Sequence, residues 1–208
     1  MLIVGIAGGT GSGKTSVVRK IVDSLPEDAV TIVPQDSYYK DNSNLLLEER
    51  QKLNFDHPAS IEWALLTEHI KELKAGRAID QPVYSYLTCT RSHETVRVIP
   101  TNVVILEGIL VLSNRPLCDL MDLKIYVDAD ADDRLGRVIM RDIEERGRSI
   151  KKVLDRYENT VKPMHLEFIE PSKRYADVII PQGAENEVGV GILITLIKQH
   201  LKDSESHK

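Results

Sequence analysis

The chain has 208 residues, 42% hydrophobic and 28% charged, with a formal net charge of -5 from 27 basic and 32 acidic side chains. That length buries an ordinary core without staples and the composition excludes a disordered chain, while the acidic balance excludes broad nucleic-acid binding but leaves room for a local basic pocket. Two cysteines, Cys89 and Cys118, without metal-type spacing exclude a disulfide framework and fit the reduced thiols of a cytoplasmic protein.

The opening run MLIVGIAGG has no basic segment before it and leads into a glycine loop, so it does not read as a signal peptide. No apolar stretch approaches the roughly 20 residues of a membrane helix, and no membrane partner is expected. Leu2 to Ala7 is apolar and β-branched and predicts a buried strand. Lys14 to Leu25 carries Val17, Val18, Ile21, Val22 and Leu25 at helical spacing and ends at Pro26. Ala29 to Val33 predicts a second buried strand. Ile61 to Ala75 predicts an amphipathic helix, with Leu65, Leu66, Ile70 and Leu73 on one side and Gly76 beyond its end. Aromatics, threonines and alternating polarity over residues 82–100 predict an antiparallel hairpin insertion. Val103 to Leu106 and Leu123 to Val127 predict two more apolar strands. Asp130 to Arg146 predicts a strongly charged helix, and Ser149 to Thr160 another, with a break near Pro163. Val178 to Ile180 predicts a short strand, Asn186 to Leu201 a closing helix, and residues 203–208 a frayed tail. Apolar strands alternating with helices predict an α/β fold, a parallel sheet covered on both faces, in a single domain over residues 1–208.

Gly8-Gly9-Thr10-Gly11-Ser12-Gly13-Lys14-Thr15 matches the phosphate-binding pattern G-x-x-x-x-G-K-[ST], with a predicted strand before it and a helix after it. Glycines let successive backbone N–H groups turn toward phosphate oxygens, and the helix adds its positive end. Lys14 is expected to reach the β- and γ-phosphates, and the Thr15 hydroxyl to hold a magnesium ion. The loop implies a nucleoside triphosphate site and leaves open whether the γ-phosphate goes to water or to a substrate. Glu107 follows a buried strand, at the end of the sheet where ligands bind, and is expected to help hold magnesium. Asp36 in Pro34-Gln35-Asp36-Ser37 is either a turn residue or a carboxylate that takes the proton of an attacking hydroxyl. Asp56 in Asn54-Phe55-Asp56-His57-Pro58 is either a polyol-binding acid or part of a turn before a helix that Asp56 or Ser60 caps.

Taken in order, GGTGSGKT, PQDSYYKD, NFDHP, PVYSY, VVILEGIL, RDIEERGRS and VKPMHLEFIEPSKRYADVIIP resemble the uridine–cytidine kinase family in its bacterial form, from Ile3 to about Leu201. The resemblance implies a three-layer P-loop NTPase fold with a helical lid over residues 137–160. It implies ATP or GTP as phosphate donor, a magnesium ion, and a pyrimidine nucleoside as acceptor. It makes Asp36 the general base toward the ribose 5'-hydroxyl, with Thr15, Glu107 and Asp36 around the metal. Asp56 would hold the ribose hydroxyls, and Tyr84 and Tyr86 would line the nucleoside pocket. Arg141, Arg146 and Arg148 would belong to the lid, where guanidinium groups stabilise charge on the transferring phosphoryl group. Read from the residues alone, the same arginines equally suit a solvated helix face opposite Asp142 and Glu145. Glu185 joins the nucleotide-binding set. The resemblance also implies a homotetramer and feedback by CTP or UTP.

Three positions depart from the family pattern. Cys89 stands where the family often has a histidine against the base, and a thiol is a poor hydrogen-bond partner. Arg137-Val138 stands where some relatives have paired arginines, and Arg156 where some have a glutamine near the substrate. Cys89 and Arg156 are therefore expected in the substrate pocket. Two other functions fit the phosphate loop: a kinase of this scaffold for phosphoribulose or pantothenate, and a slow GTP-hydrolysing switch. The switch usually carries an N-K-x-D base-reading motif, which this chain lacks.

Overall fold

The structure is a computed structural model that describes residues 1–26 and 28–206. Strands β1 (Leu2–Gly8), β2 (Val30–Pro34), β5 (Val103–Glu107), β6 (Leu123–Val127) and β7 (Val178–Ile180) pair in parallel in the order β2-β5-β1-β6-β7. Strands β3 (Ile79–Ser85) and β4 (Thr90–Val98) form a separate antiparallel pair. The helices are α1 (Lys14–Asp23), α2 (Leu47–Arg50), α3 (Trp63–Lys74), α4 (Arg115–Cys118), α5 (Ala131–Glu144), α6 (Ile150–Arg156), α7 (Lys162–Met164), α8 (Glu170–Ser172) and α9 (Glu187–Ser206).

Strand β1 lies between β5 and β6 and is buried along its whole length. Its side chains alternate between two apolar layers, as a strand's period of two requires. Ile3 and Ala7 join Val104, Leu106, Leu66, Ile70 and Leu117 on one face. Val4 and Ile6 join Val103, Ile105, Val17, Ile21, Leu193 and Ile197 on the other. All five strands point the same way, so their carboxyl ends share one edge. That edge carries Gly8, Gln35 and Asp36, Glu107 and Asp128, the positions from which the site is built.

Several expectations are corrected. The β2 strand is only partly buried, with Val33 buried and Ile32 exposed, because it lies at the sheet's edge. Helix α3 begins at Trp63, since Ile61 is held in an isolated antiparallel bridge to Tyr39. Neither Asp56 nor Ser60 caps it: the Ser60 hydroxyl donates to the carbonyls of Phe55 and His57, and the residue before α3 is Glu62. The hairpin occupies 79–98 instead of 82–100, with a register shift between Pro82 and Tyr84 where proline withholds its donor.

The chain does not break at Pro163. Helical turns run from Ile150 to Tyr175, with π turns at Tyr157–Val161 and His165–Ile169 ahead of Pro163 and Pro171. A proline lacks the N–H for the carbonyl four residues back and clashes with it. Here those carbonyls, of Asn159 and Glu167, lie inside the π turns, whose wider bonding absorbs both defects. Helix α9 continues to Ser206, so residues 203–206 are helical where fraying was expected, and residues 207–208 lie outside the described residues.

Candidate functional site

The loop between β1 and α1 has the form expected of it. Gly8, Gly11 and Gly13 hold φ of 150°, 81° and 89°. A β-carbon at Gly11 would stand 2.5 Å from the Arg134 carbonyl oxygen, so the residue is glycine for space as well as conformation. No side chain caps α1 and no acidic residue sits in its first turn, so its amino-terminal N–H groups face the loop's hollow with the helix dipole behind them. The Ser12 hydroxyl is buried there without a hydrogen-bond partner. Lys14 is buried, its Nζ donating to the Gly9 carbonyl at 3.1 Å. Burial holds its pKa below the usual lysine value against the opposing pull of Glu107 and Asp36.

Thr15 Oγ1 donates to Glu107 Oε1 at 3.3 Å, bringing together two of the expected metal oxygens. Burial raises the Glu107 carboxyl above its ordinary pKa, with Lys14 opposing. A hydroxyl and a carboxylate beside a phosphate loop are hard oxygen donors of the kind magnesium takes. No cluster of three or more His, Cys, Asp or Glu suited to a metal exists among the described residues. Magnesium needs none, because it is commonly held by one or two protein oxygens and the substrate's phosphates. Asp36 sits in the tight turn after β2, beside Gln35, whose buried Oε1 accepts from the Leu110 N–H at 2.8 Å. That bond fastens the turn carrying Asp36 to the chain that follows Glu107.

Tyr84 packs against Tyr39, Phe55 and Tyr86, with ring centroids 4.9, 5.9 and 5.2 Å away. Tyr86 donates its hydroxyl to Asp36 Oδ2 at 2.6 Å, and the Arg146 guanidinium lies 5.5 Å from the centre of its ring. The hairpin therefore joins Asp36 to the arginine-bearing segment. Cys89 holds φ of 51° in the turn after Tyr86, with its Sγ 3.6 Å from the Tyr86 carbonyl. Asp56 is buried and accepts from Arg156 Nη2 at 2.9 Å. Burial raises its carboxyl's pKa, and Arg156 opposes the rise.

The arginines stay partly exposed, but they converge on one buried carboxylate. Asp142, fully buried, accepts from Arg141 Nη2 at 2.8 Å and from Arg148 Nη1 at 2.6 Å, with Arg146 Nη1 at 3.3 Å and Arg156 Nη1 at 3.8 Å. Glu185 meets Arg137 Nη2 at 2.9 Å, and the other Arg137 nitrogen lies 3.4 Å from the Gly11 carbonyl. Arg134 and His165 cover Gly9: a β-carbon there would be 2.8 Å from Arg134 Nη1 and 3.0 Å from His165 Cε1. Asp142, Arg134 and His165 are thus structural neighbours of the expected site that the sequence did not single out, and Arg137, noted there only as a departure from the family pattern, joins them. Helical spacing within α5 relates Arg134, Arg137 and Arg141, and that is the one sequence signal for any of them.

The phosphoribulokinase/uridine kinase family model matches residues 3–189. The chain belongs to this family. Its relatives include a uridine kinase of Clostridium novyi, 48% identical with 98% of each chain covered. Another is a uridine kinase of Bacillus subtilis, 51% identical over 98% of this chain and 96% of its own. The solved phosphoribulokinase of Rhodobacter spheroides superposes with a TM-score of 0.63 at 14% identity, covering 86% of this chain and 69% of that one, a likeness of fold. As a member of the family the chain is a kinase, a phosphotransferase that takes its phosphoryl group from a nucleotide donor. Among the described residues no helix is long and apolar enough to cross a membrane.

Proposed function

We propose that the chain is a uridine/cytidine kinase, which transfers the γ-phosphate of ATP or GTP to the 5'-hydroxyl of a pyrimidine ribonucleoside and yields UMP or CMP. The observation that carries this reading is the 2.6 Å hydrogen bond from the Tyr86 hydroxyl to Asp36. It marks Asp36 as a carboxylate open to a hydroxyl donor where the edge of the sheet meets the aromatic cluster. A carboxylate has room for more than one donor, so a sugar hydroxyl can join or displace the phenol. Tyr84 and its neighbours suit a planar base better than a sugar phosphate. Relatives named uridine kinase, about half identical over nearly the whole chain, support the same acceptor.

In this mechanism the N–H groups of Gly8 to Lys14 and the Lys14 ammonium hold the triphosphate. Thr15, Glu107 and Asp36 are the residues that would hold magnesium, which when bound neutralises phosphate charge. Glu185, through Arg137, belongs to the nucleotide side of the site. Asp56, with Arg156, takes the ribose hydroxyls, and Tyr84, Tyr86 and Cys89 flank the base. Asp36 orients the 5'-hydroxyl and takes its proton as it attacks the γ-phosphorus. Arg141, Arg146 and Arg148, on a lid over 137–160, neutralise the charge that develops, and the ADP or GDP leaves. The enzyme would serve pyrimidine salvage in the cytoplasm as a homotetramer, with CTP or UTP as feedback ligands.

Replacing Asp36 with Asn keeps the shape of the side chain and removes the base. We expect kcat to fall by about 10²–10⁴, with the affinity for a non-hydrolysable ATP analogue nearly unchanged. Turnover close to that of the parent would remove Asp36 from this role.

A further inference from the structure

Asp142 is the last turn's only buried carboxylate in α5, and it is surrounded by more cation than it can neutralise. Its side chain has no exposed surface, while those of Arg141, Arg146, Arg148 and Arg156 remain about a third exposed, at 31%, 31%, 38% and 30%. Burial alone would push this carboxyl up, and the Arg141, Arg146 and Arg148 guanidinium groups bring it below the usual carboxylate range instead. It is therefore an ionised anchor. Arg141 approaches it with both Nε and Nη2, at 3.0 and 2.8 Å, and Arg148 takes the opposite oxygen. The Arg148 backbone N–H also donates to the Asp142 carbonyl at 3.0 Å, closing the turn over Gly147. Arg156 reaches both ways: Nη1 toward Asp142 Oδ2 at 3.8 Å and Nη2 to Asp56 Oδ2 at 2.9 Å. A continuous chain, Asp56–Arg156–Asp142–Arg141/Arg146/Arg148, thus links one carboxylate expected at the sugar to three guanidinium groups expected at the phosphates.

We infer that Asp142 is a positioning residue that couples the nucleoside pocket to the phosphate-binding arginines through Arg156. This rests on the proposed acceptor. A ligand whose hydroxyls engage Asp56 changes the pull on Arg156, and Arg156 and the other three share a single carboxylate. A shift of one guanidinium alters how firmly the others are held. Nucleoside binding then makes arginine charge available to the triphosphate, and by reciprocity the triphosphate tightens the nucleoside. The cluster's surplus of guanidinium over carboxylate is the charge that a phosphate chain would satisfy.

The test is calorimetric titration of a non-hydrolysable ATP analogue with and without saturating uridine, on the parent chain, Asp142→Asn and Arg156→Gln. In the parent, uridine should strengthen analogue binding about tenfold, within the usual range of coupling. In both variants that factor should fall close to one, with uridine brought to saturation for each variant by its own titration, because Arg156 belongs to the proposed nucleoside pocket and Asp142 holds the phosphate-side arginines. Coupling at the parent level in either folded variant overturns the inference, as does its absence in the parent. Should Asp142→Asn fail to fold, as judged by circular dichroism, Arg156→Gln decides alone, since it cuts the link to Asp56 and leaves the anchor. A parent chain that phosphorylates no pyrimidine nucleoside contradicts the proposed function. A working uridine kinase whose coupling survives Asp142→Asn contradicts this inference only.

Discussion

Gly11 holds φ at 81°, and a β-carbon there would press on the Arg134 carbonyl. Gly11→Ala therefore meets two penalties: the left-handed backbone, of order 1–3 kcal/mol for a residue other than glycine, and the crowding of α5. We expect a lower melting temperature together with loss of nucleotide affinity, measured by thermal unfolding and by analogue titration, and a variant that bound as the parent would show that the loop's curl is not required. Residues whose roles arise within a few positions of each other were legible in the sequence. Gly8 to Thr15 carry their own geometry, and the turn around Asp36 was marked by its neighbours. Asp142 was not legible: beside Arg141 it read as one charge on a charged helix. Its importance comes from Arg148 and Arg156, which reach it across a turn and from another helix. The Tyr86–Asp36 bond likewise spans 50 residues, and no local pattern encodes it.

The segment from Ile150 to Tyr175 shows where element-scale reading falls short. A proline in a helical pattern ordinarily signals a break, and the rule fails when π turns precede the proline, which spacing does not disclose. One product is the placement of His165, which points into the fold with Nδ1 buried and unpartnered and Nε2 3.3 Å from Glu170. Burial, reinforced by Arg134, lowers its pKa from near 6.5 to about 4, with Glu170 and Asp128 pulling the other way. The unfolded chain then binds this proton more readily than the folded one. Stability from this group is fully present above about pH 6.5 and drains as pH falls toward 4. By pH 5 the loss is of order 2 kcal/mol. Urea unfolding at pH 7 and pH 5 should show that loss in the parent and a smaller one in His165→Phe, and equal losses in both would assign the acid sensitivity elsewhere. The strands and the longer helices were otherwise legible, because continuous apolar runs and helical spacing state burial directly, whereas the four-residue helices α2 and α4 are too short to show a period and were not expected. Boundaries moved where tertiary pairing intervened, as at Ile61.

At the scale of the molecule, the parallel sheet brings one glycine loop and several carboxylates to a common edge, and the separate hairpin brings the aromatic rings to them. Fold class followed from alternating apolar strands and helices, but the packing of the hairpin and the convergence of four arginines did not, being products of long-range contact. Helix α9 carries Val188, Ile192 and Leu196 exposed on one stripe. If the chain assembles as proposed, light scattering after size exclusion should give a mass four times that of the chain, with a monomer mass excluding the tetramer. The central claim concerns the acceptor. It is tested most directly by initial rates with uridine, cytidine, adenosine, ribulose 5-phosphate and pantothenate, with ATP, magnesium and phosphorus NMR of the products. The account predicts turnover of uridine and cytidine, well above the others, with the phosphorus on the 5'-oxygen. Turnover confined to ribulose 5-phosphate or pantothenate, or release of free phosphate without any phosphorylated nucleoside, would contradict it.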